Sequence, residues 1–168
     1  MPFSFLPRLM TGKTTDVTAE LLRQRNIRLL MLDFDNTIVP YTTTVPTPEM
    51  ETWLAEMNAL EDIQVCIVSN SKNDRVPRFC RERGMDVITH AAKPFPKGIR
   101  QCLAKYGIPA ANAALIGDQI FTDTLGAHRA GVKPLLVRPI RLAGNPGRYL
   151  RYAAETPFRL LGKGRAFV

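Results

Sequence analysis

The stretch that decides the fold is IRLLMLDFDNTIVPY, residues 27–41. Its apolar run, 29–32, is typical of a strand that is buried on both faces of a parallel sheet. Asp33 and Asp35 follow this run directly, and open α/β sheets bind their ligands at the carboxyl ends of their strands. Taken alone, the stretch fits a polar surface turn as well as it fits a ligand-binding site. Only the rest of the chain can decide between the two.

Apolar runs and helical patterns alternate along the rest of the chain, which predicts an α/β fold with a doubly wound parallel sheet. Further strands are predicted over 63–68, 86–89, 113–116 and 132–137, and helices over 15–25, from 48, up to about 83, over 96–106 and over 121–129. Right-handed crossovers would bring the carboxyl ends of all strands to one edge. Pro134 predicts an edge position for the last strand.

The composition fits one globular domain. The chain has 168 residues, of which 45% are hydrophobic, and no stretch approaches the ~20 apolar residues of a membrane-spanning helix. The N-terminus does not resemble a secretory signal. Cys66, Cys80 and Cys102 have no metal-binding or redox spacing, which favours reduced thiols in a cytoplasmic protein.

The positive charge lies at the two ends of the chain. The formal net charge is +3 over residues 1–30, −1 over 31–137 and +6 over 138–168. We therefore expect three parts: a basic and apolar N-terminal flank with a short helix (1–26), a catalytic domain (27–137) and a basic C-terminal appendage (138–168).

Polar motifs follow the predicted strands in a fixed order: DFDNT at 33–37, SN at 69–70, KP at 93–94 and GDQIFTD at 117–123. Together they resemble the haloacid dehalogenase (HAD) superfamily of Mg²⁺-dependent phosphotransferases. Within it they are most similar to the YqeG-like branch, which includes phosphatidylglycerophosphate phosphatases. The resemblance covers about residues 27–137 and implies a HAD-like Rossmannoid fold.

The resemblance implies a phosphatase whose two first aspartates carry the reaction. Asp33 would be the nucleophile that forms an aspartyl-phosphate, and Asp35 would protonate the leaving group and then activate water. A halide leaving group needs no acid, so Asp35 favours phosphatase or phosphomutase chemistry over dehalogenation, and without a typical cap domain to keep water from a mutase intermediate we expect a phosphatase. A phosphomonoester is a dianion that repels a carboxylate, which explains why a metal ion is needed.

The resemblance also assigns the remaining site residues. Mg²⁺ would be held by the carboxylates of Asp33 and Asp118 and the backbone carbonyl of Asp35, since hard oxygen ligands suit this ion. Asp123 would lie in or near the second shell, and Thr37 would brace the loop. The phosphate-binding residues would be Ser69, Asn70 and Lys93.

The intervals in which HAD enzymes carry a cap domain are short here. Only 31 residues separate Thr37 from Ser69, and 22 separate Asn70 from Lys93, whereas a separate domain usually needs about 50. We therefore predict no large cap domain and an open site, apart from a small flap at 38–46. Open sites suit substrates that are too large to enclose.

Both flanks mix basic, aromatic and aliphatic residues, as at the interface of an anionic membrane. This favours a protein on the inner leaflet that hydrolyses a lipid phosphomonoester, with phosphatidylglycerophosphate as the candidate from the resemblance. Three alternatives remain open: flanks that fold back on the core, a phosphatase of soluble or nucleic-acid phosphomonoesters, and a membrane or assembly factor without activity. Nucleic acid is the less favoured partner because the flanks contain so many apolar residues.

Overall fold

The computed structural model describes residues 4–141 and 146–162. The strands and helices in this part of the chain alternate, and their bounds are β1 Leu9–Met10, α1 Ala19–Gln24, β2 Leu29–Leu32, α2 Pro48–Asn58, β3 Gln64–Val68, α3 Arg75–Glu82, β4 Asp86–Ile88, α4 Lys97–Tyr106, β5 Ala113–Gly117, α5 Leu125–Ala130, β6 Lys133–Leu136 and α6 Pro146–Gly162.

The strands form one six-stranded sheet in the order β1-β6-β5-β2-β3-β4. Every adjacent pair is parallel. Strand β2 lies in the interior between β3 and β5. The α/β class and the doubly wound parallel sheet are thereby confirmed, and the carboxyl ends of the strands that carry the motifs meet at one edge.

Alternate residues of the strands enter two different cores, one on each face of the sheet. In β2, Leu30 and Leu32 pack with α1, α2 and α3, whereas Leu29 and Met31 pack with α4 and α5. All four residues are buried, so this strand has no polar side chain until Asp33. Burial on both faces explains why the run is continuously apolar.

Two predicted helices differ from the observed ones at their starts. The helix expected over 15–25 begins only at Ala19, because the Thr18 hydroxyl accepts a hydrogen bond from Leu21 N and caps it; a 3₁₀ turn, Thr14–Asp16, precedes it. The helix expected from residue 121 begins with a π-helical turn, Ile120–Thr124. This turn carries Asp123 next to the end of β5.

The predicted edge position of Pro134 is wrong by one strand, because the two residues of β1 pair with the outer side of β6. The carbonyl of Pro134 accepts from Arg8 N. The N and C=O of one strand residue point to the same side of the strand, so the proline nitrogen, which has no hydrogen to donate, also faces β1. The hydrogen bonds between β6 and β5 therefore do not need it.

Parts of both flanks pack on the central unit: β1 extends its sheet, and α6 contacts the turn after β5. Residues 1–3 and the appendage segments 142–145 and 163–168, which include the basic Lys163 and Arg165, lie outside the described residues. Among the helices described, none has the length and apolar character needed to cross a lipid bilayer.

Candidate active site

Asp33 is held by the sheet itself at the centre of the carboxyl edge. Its backbone N–H donates to Ile116 O at 2.8 Å and so continues the ladder between β2 and β5. Beyond it the chain turns sharply, since Asn36 has a φ of 60° and its N–H donates to Val39 O at 2.7 Å. The turn leaves the Asp33 carboxylate facing the pocket at this edge.

Lys93 is the cation at the centre of the site, with only 1% of its side chain exposed. Its Nζ donates to Asp33 Oδ1 at 2.6 Å and contacts Asp123 Oδ1 at 2.7 Å. Burial opposes the charge on this amine, but the carboxylates of Asp123 and Asp33 outweigh it and raise the pKa of Lys93. The lysine is therefore charged and joins two of the predicted aspartates.

Ser69 and Asn70 lie together on the wall of the site at the end of β3. The Ser69 hydroxyl is buried and accepts from Ser71 N at 3.1 Å. The Asn70 amide spans the backbone of Lys93: its Oδ1 accepts from Lys93 N at 2.8 Å, and its Nδ2 donates to Lys93 O at 2.9 Å. In this structure the asparagine fixes the lysine backbone.

Asp33, Asp118 and Asp123 form a buried cluster in which one carboxylate oxygen of each lies within 4.8 Å of the others. Asp118 Oδ1 is buried and has no hydrogen-bond partner in the described part of the chain. A buried acceptor without a donor is costly unless something binds it. The three carboxylates are hard oxygen donors, so the cluster fits a divalent cation.

Asp123 is placed by a close fit between its turn and β5. Its Oδ2 accepts from Gln119 N at 3.1 Å. A Cβ on Gly117 would lie 2.4 Å from Asp123 Cγ, well inside contact distance, so only glycine allows this approach. The glycine of the GD motif thus sets the position of an aspartate six residues later.

The cluster carries more negative charge than Lys93 can balance. Burial, opposed by Lys93 and reinforced by the Asp123 carboxylate, raises the pKa of Asp33 to about 7. Burial and the charges of Asp123 and Asp33 raise the pKa of Asp118 well above its usual value. An additional positive charge is therefore needed to keep all these groups ionised.

Asp35 lies at the mouth of the site in an ion pair with Arg75. The same guanidinium donates to the carbonyls of Tyr41 and Thr43, both at 3.3 Å, and lies over the ring of Phe34. Arg75 comes from α3, so it ties the predicted acid and the flap 38–46 to one helix. No sequence motif pointed to this arginine.

Thr37 holds the loop after Asp35 to the N-terminal flank. It is fully buried, and its carbonyl accepts a hydrogen bond from Thr14 Oγ1 at 2.7 Å. Its own Oγ1 has no hydrogen-bond partner among the described residues. The residue is therefore fixed through its backbone and packing.

Helix α6 clamps the turn that follows Asp118. Glu155 Oε1 accepts from Ile120 N at 2.9 Å and from Phe121 N at 3.1 Å. Its other oxygen accepts from the buried Arg159 at 2.9 Å, and this guanidinium also donates to the backbone carbonyl of Asp118. The pair thus satisfies backbone groups of the turn that carries two of the clustered aspartates.

Glu155 and Arg159 were not among the predicted site residues, although the sequence contains a signal for them. Glu155 is the only acidic residue among seven basic ones in the segment 138–168. An isolated acid four residues before an arginine, in a segment of that charge, is a candidate for a buried pair.

Six of the eight predicted residues line an open pocket of about 350 Å³ at the carboxyl edge of the sheet, whereas Thr37 and Asp118 lie outside its wall. Its wall includes Asp33, Asp35, Tyr41, Ser69, Asn70, Lys93, Gln119, Asp123 and Arg151. One flap and α2 lie between β2 and β3, and α3 lies between β3 and β4. Neither interval contains a separate domain, so substrates reach the pocket from solvent.

Comparisons with known proteins identify the family of the chain. A family model described as HAD-hydrolase-like matches residues 90–139. The chain is 32% identical over 157 residues to "Probable phosphatase YqeG" of Bacillus subtilis, an alignment that covers 94% of this chain and 90% of that protein. It is 25% identical over 150 residues to chloroplastic phosphatidylglycerophosphate phosphatase 1 of Chlamydomonas reinhardtii, covering 84% of this chain and 55% of that protein.

Solved structures share the fold at low sequence identity. The cobalt-bound form of deoxy-D-mannose-octulosonate 8-phosphate phosphatase from Haemophilus influenzae superposes with a TM-score of 0.51 and 17% identity. The superposition covers 83% of this chain and 91% of that one. The chain thus shares the fold of this structure.

Proposed function

The chain belongs to the YqeG-like branch of the HAD superfamily and is a phosphatase, and we propose that it hydrolyses a lipid phosphomonoester at a membrane surface through an aspartyl-phosphate on Asp33. One observation carries the reaction. The Asp33 carboxylate lies beside a buried, charged lysine and two more carboxylates at the floor of an open pocket. We also propose the division of the chain into a catalytic domain, residues 27–137, and a basic flank on either side of it.

The first half of the reaction is an in-line displacement at phosphorus. An oxygen of Asp33 forms a bond to the phosphorus, and the bond from phosphorus to the alkoxide oxygen breaks. Asp35 gives its proton to that alkoxide. Lys93 orients the Asp33 carboxylate, and Lys93 and Ser69 stabilise the charge on the phosphoryl oxygens.

The second half returns the enzyme to its starting state. Asp35, now ionised, takes a proton from a water molecule, which attacks the phosphorus of the aspartyl-phosphate. The bond between phosphorus and the Asp33 oxygen breaks, and inorganic phosphate leaves. In the resting site Arg75 pairs with Asp35 at the mouth of the pocket, where both the leaving group and the water enter.

We propose Mg²⁺ as the cation that the carboxylate cluster binds. Asp33 and Asp118, the two carboxylates that the resemblance implies as ligands, offer buried oxygens, and so does Asp123, which was expected in or near the second shell. The resemblance adds the backbone carbonyl of Asp35 as a further ligand. When bound, the ion supplies the positive charge that lets a dianionic substrate approach Asp33. Asp123 then has two functions, since it also pairs with Lys93.

The lipid part of the proposal is supported by where the apolar surface lies. Helix α6 turns its charged Glu155 and Arg159 inward and presents an apolar outer face. This outer face consists of Tyr149, Leu150, Ala153, Ala154, Pro157, Leu160 and Leu161. Leu150 is 75% exposed and Leu161 67%. A helix with an apolar outer face and adjacent arginines suits an anionic bilayer interface.

The remaining large apolar side chains that are exposed in the described residues follow the carboxyl ends of strands, where the pocket lies. Val45 is on the flap after β2, Phe95 follows Lys93, and Ile140 follows β6. Such a concentration of apolar surface marks an interaction site. A bilayer in contact with this edge would face the catalytic pocket, which fits a lipid headgroup as substrate and a protein on the inner leaflet.

A phosphate-release panel in Mg²⁺ tests the proposal. Its substrates are phosphatidylglycerophosphate in anionic vesicles, glycerol 3-phosphate, a sugar phosphate, a nucleotide and a 3′-phosphorylated oligonucleotide. We expect the highest kcat/KM with the lipid and no release in EDTA. A preference for the oligonucleotide would replace the lipid assignment by a nucleic-acid one. Vesicle binding without release from any substrate would contradict the enzymatic proposal.

A further inference from the structure

Two arginines of α6 overlook the pocket and are not used by the site described above. Arg75 pairs with Asp35, and Arg159 pairs with Glu155. Arg148 and Arg151 form no ion pair within residues 4–141 and 146–162. They are three residues apart, so they project from the same side of the helix.

Both guanidinium groups are held next to the catalytic residues by neutral partners. Arg151 Nη1 donates to Gln119 Oε1 at 2.5 Å, and Arg151 shares the wall of the pocket with Asp33 and Lys93. The guanidinium carbon of Arg148 lies 3.5 Å from the ring centroid of Tyr41, another residue of that wall. Their positive charges are therefore oriented but not neutralised.

The guanidinium groups of Arg148 and Arg151 can pair with an anionic group of the substrate. Lys93 already faces two carboxylates, so its charge is balanced inside the site. An anionic group next to the scissile phosphate would meet no free cation on the floor of the pocket. At the mouth it would meet two guanidinium groups, whose planar donors match phosphate oxygens.

We propose that Arg148 and Arg151 form a subsite for a phosphodiester that lies beside the scissile phosphomonoester in the substrate. This inference deepens the proposed function and rests on it. The headgroup of phosphatidylglycerophosphate has such a phosphodiester, three carbons away from its phosphomonoester. A nucleic acid with a terminal phosphate offers the same chemistry, so the test includes both sources.

With this subsite, α6 selects substrates. In HAD enzymes that have a cap domain, the cap has this function. Because Gln119 follows Asp118 directly, the subsite is fixed to the turn that positions the carboxylate cluster. The distance between the reacting phosphate and its neighbour is then set by the fold. Substrates with a single phosphate gain nothing from these arginines.

The test compares soluble substrates that differ in the phosphodiester, so that acyl chains and vesicles play no part. They are glycerophosphoglycerol phosphate, which is the deacylated headgroup, glycerol 3-phosphate and a 3′-phosphorylated oligonucleotide. The variants are Arg148→Gln and Arg151→Gln. The control is Arg28→Gln, the same charge change at an exposed residue at the opposite edge of the sheet.

The unaltered protein should prefer the headgroup over glycerol 3-phosphate in kcat/KM. Each of the two arginine variants should lower the ratio of these kcat/KM values about tenfold, mainly through KM of the headgroup, as expected for one charged hydrogen bond at a partly exposed position. Arg28→Gln should leave the ratio unchanged.

A ratio that stays the same in both variants would overturn the subsite, and so would an unaltered protein without preference between the two soluble substrates. Failure of the lipid assignment has a different signature. If neither the lipid nor its headgroup is hydrolysed but the oligonucleotide is, the lipid function is wrong. The subsite then stands only if the two arginine variants lower kcat/KM for the oligonucleotide more than for a mononucleotide.

Discussion

Lys93 is the residue on which the charge balance of the site depends. It is buried between Asp33 and Asp123, and both carboxylates lie within 2.7 Å of its Nζ. A buried ion pair adds little net stability, but the removal of one partner leaves the other charge uncompensated. The lysine is therefore needed for the fold of the site as well as for the phosphate binding that we propose.

We expect Lys93→Met to lower the free energy of unfolding by about 3–5 kcal/mol in EDTA, the usual cost of breaking a buried pair. Urea unfolding followed by circular dichroism measures it. Adding Asp123→Asn should recover part of the loss, since it removes one of the carboxylates that the lysine had paired. A single variant as stable as the unaltered protein would show that the lysine is not buried as described.

Among the residues of the site, those that directly follow a strand could be predicted from the sequence, and those that lie on a helix could not. Asp33, Ser69 and Asp118 follow buried strands, and parallel strands bring such residues together whatever the details of packing. Arg75, which is half-buried, and Arg159, which is buried, come from helices that also carry exposed arginines. Their burial depends on tertiary contacts that local periodicity does not encode.

Helix α6 is the element that departs most from the expected pattern. A surface helix normally buries an apolar stripe and exposes its charges, but here Glu155 and Arg159 are buried and the leucines face outward. The reversal explains why the segment resembles an appendage in the sequence. Its charged inner face holds the turn between Asp118 and Phe121.

We expect Arg159→Leu to raise the Mg²⁺ concentration for half-maximal activity by about tenfold or more, as is typical when a group that orients metal ligands is lost. Mg²⁺ binding measured by calorimetry checks the same shift without turnover. Arg28→Leu is the control with the same change of residue. Unaltered Mg²⁺ affinity in Arg159→Leu would mean that the clamp does not position Asp118.

His128 in α5 joins the N-terminal segment to the domain, because its Nε2–H donates to Leu6 O at 2.8 Å. Burial, together with the nearby charge of Arg8, lowers the pKa of this histidine. The folded protein thus resists a proton that the unfolded chain accepts below about pH 6.5. The contribution of His128 to the free energy of unfolding should therefore fall as the pH decreases through this range.

Urea unfolding at pH 7.5 and pH 5.5 measures that loss. His128→Gln keeps an N–H donor for Leu6 and does not titrate, so its loss between the two pH values should be smaller. His90→Asn is the control, because His90 is exposed and asparagine tolerates its φ of 52°. An equal loss in all three proteins would contradict the assignment to His128.

The strands were predictable as elements, with one exception. Runs such as 29–32 and 113–117 are buried on both faces, so their apolar character is continuous. β1 has only two residues, Leu9 and Met10, too few for any periodicity. It pairs because the outer side of β6 offers free backbone groups.

As a whole, the molecule has one edge that combines the pocket, exposed apolar side chains and the arginines of α6. Neither of the two intervals in which HAD enzymes carry a cap domain, 38–68 and 71–92, contains one here. This edge of the sheet is therefore open. The formal charge of +8 adds attraction to an anionic surface, worth about 1 kcal/mol for each basic residue close to it. We therefore expect the pocket to face the bilayer.

The double substitution Leu150→Ser/Leu161→Ser should lower binding to phosphatidylglycerol-containing vesicles by at least about tenfold, because each leucine loses transfer energy of about 1.5–3 kcal/mol when fully inserted. Co-sedimentation measures the partition. Ala55→Ser, at an exposed position of α2, should bind as the unaltered protein does. Undiminished binding by the double variant would exclude the outer face of α6 as the contact.

The central claim is that Asp33 carries the phosphoryl group during turnover. Acid-quenched mass spectrometry of the protein with substrate and Mg²⁺ tests it most directly, with Asp33→Asn as the control. We predict one added phosphoryl group on the peptide that contains Asp33, and its absence in the variant, which should fold normally and release essentially no phosphate. A phosphoryl group on another residue, or undiminished phosphate release by Asp33→Asn, would contradict the account.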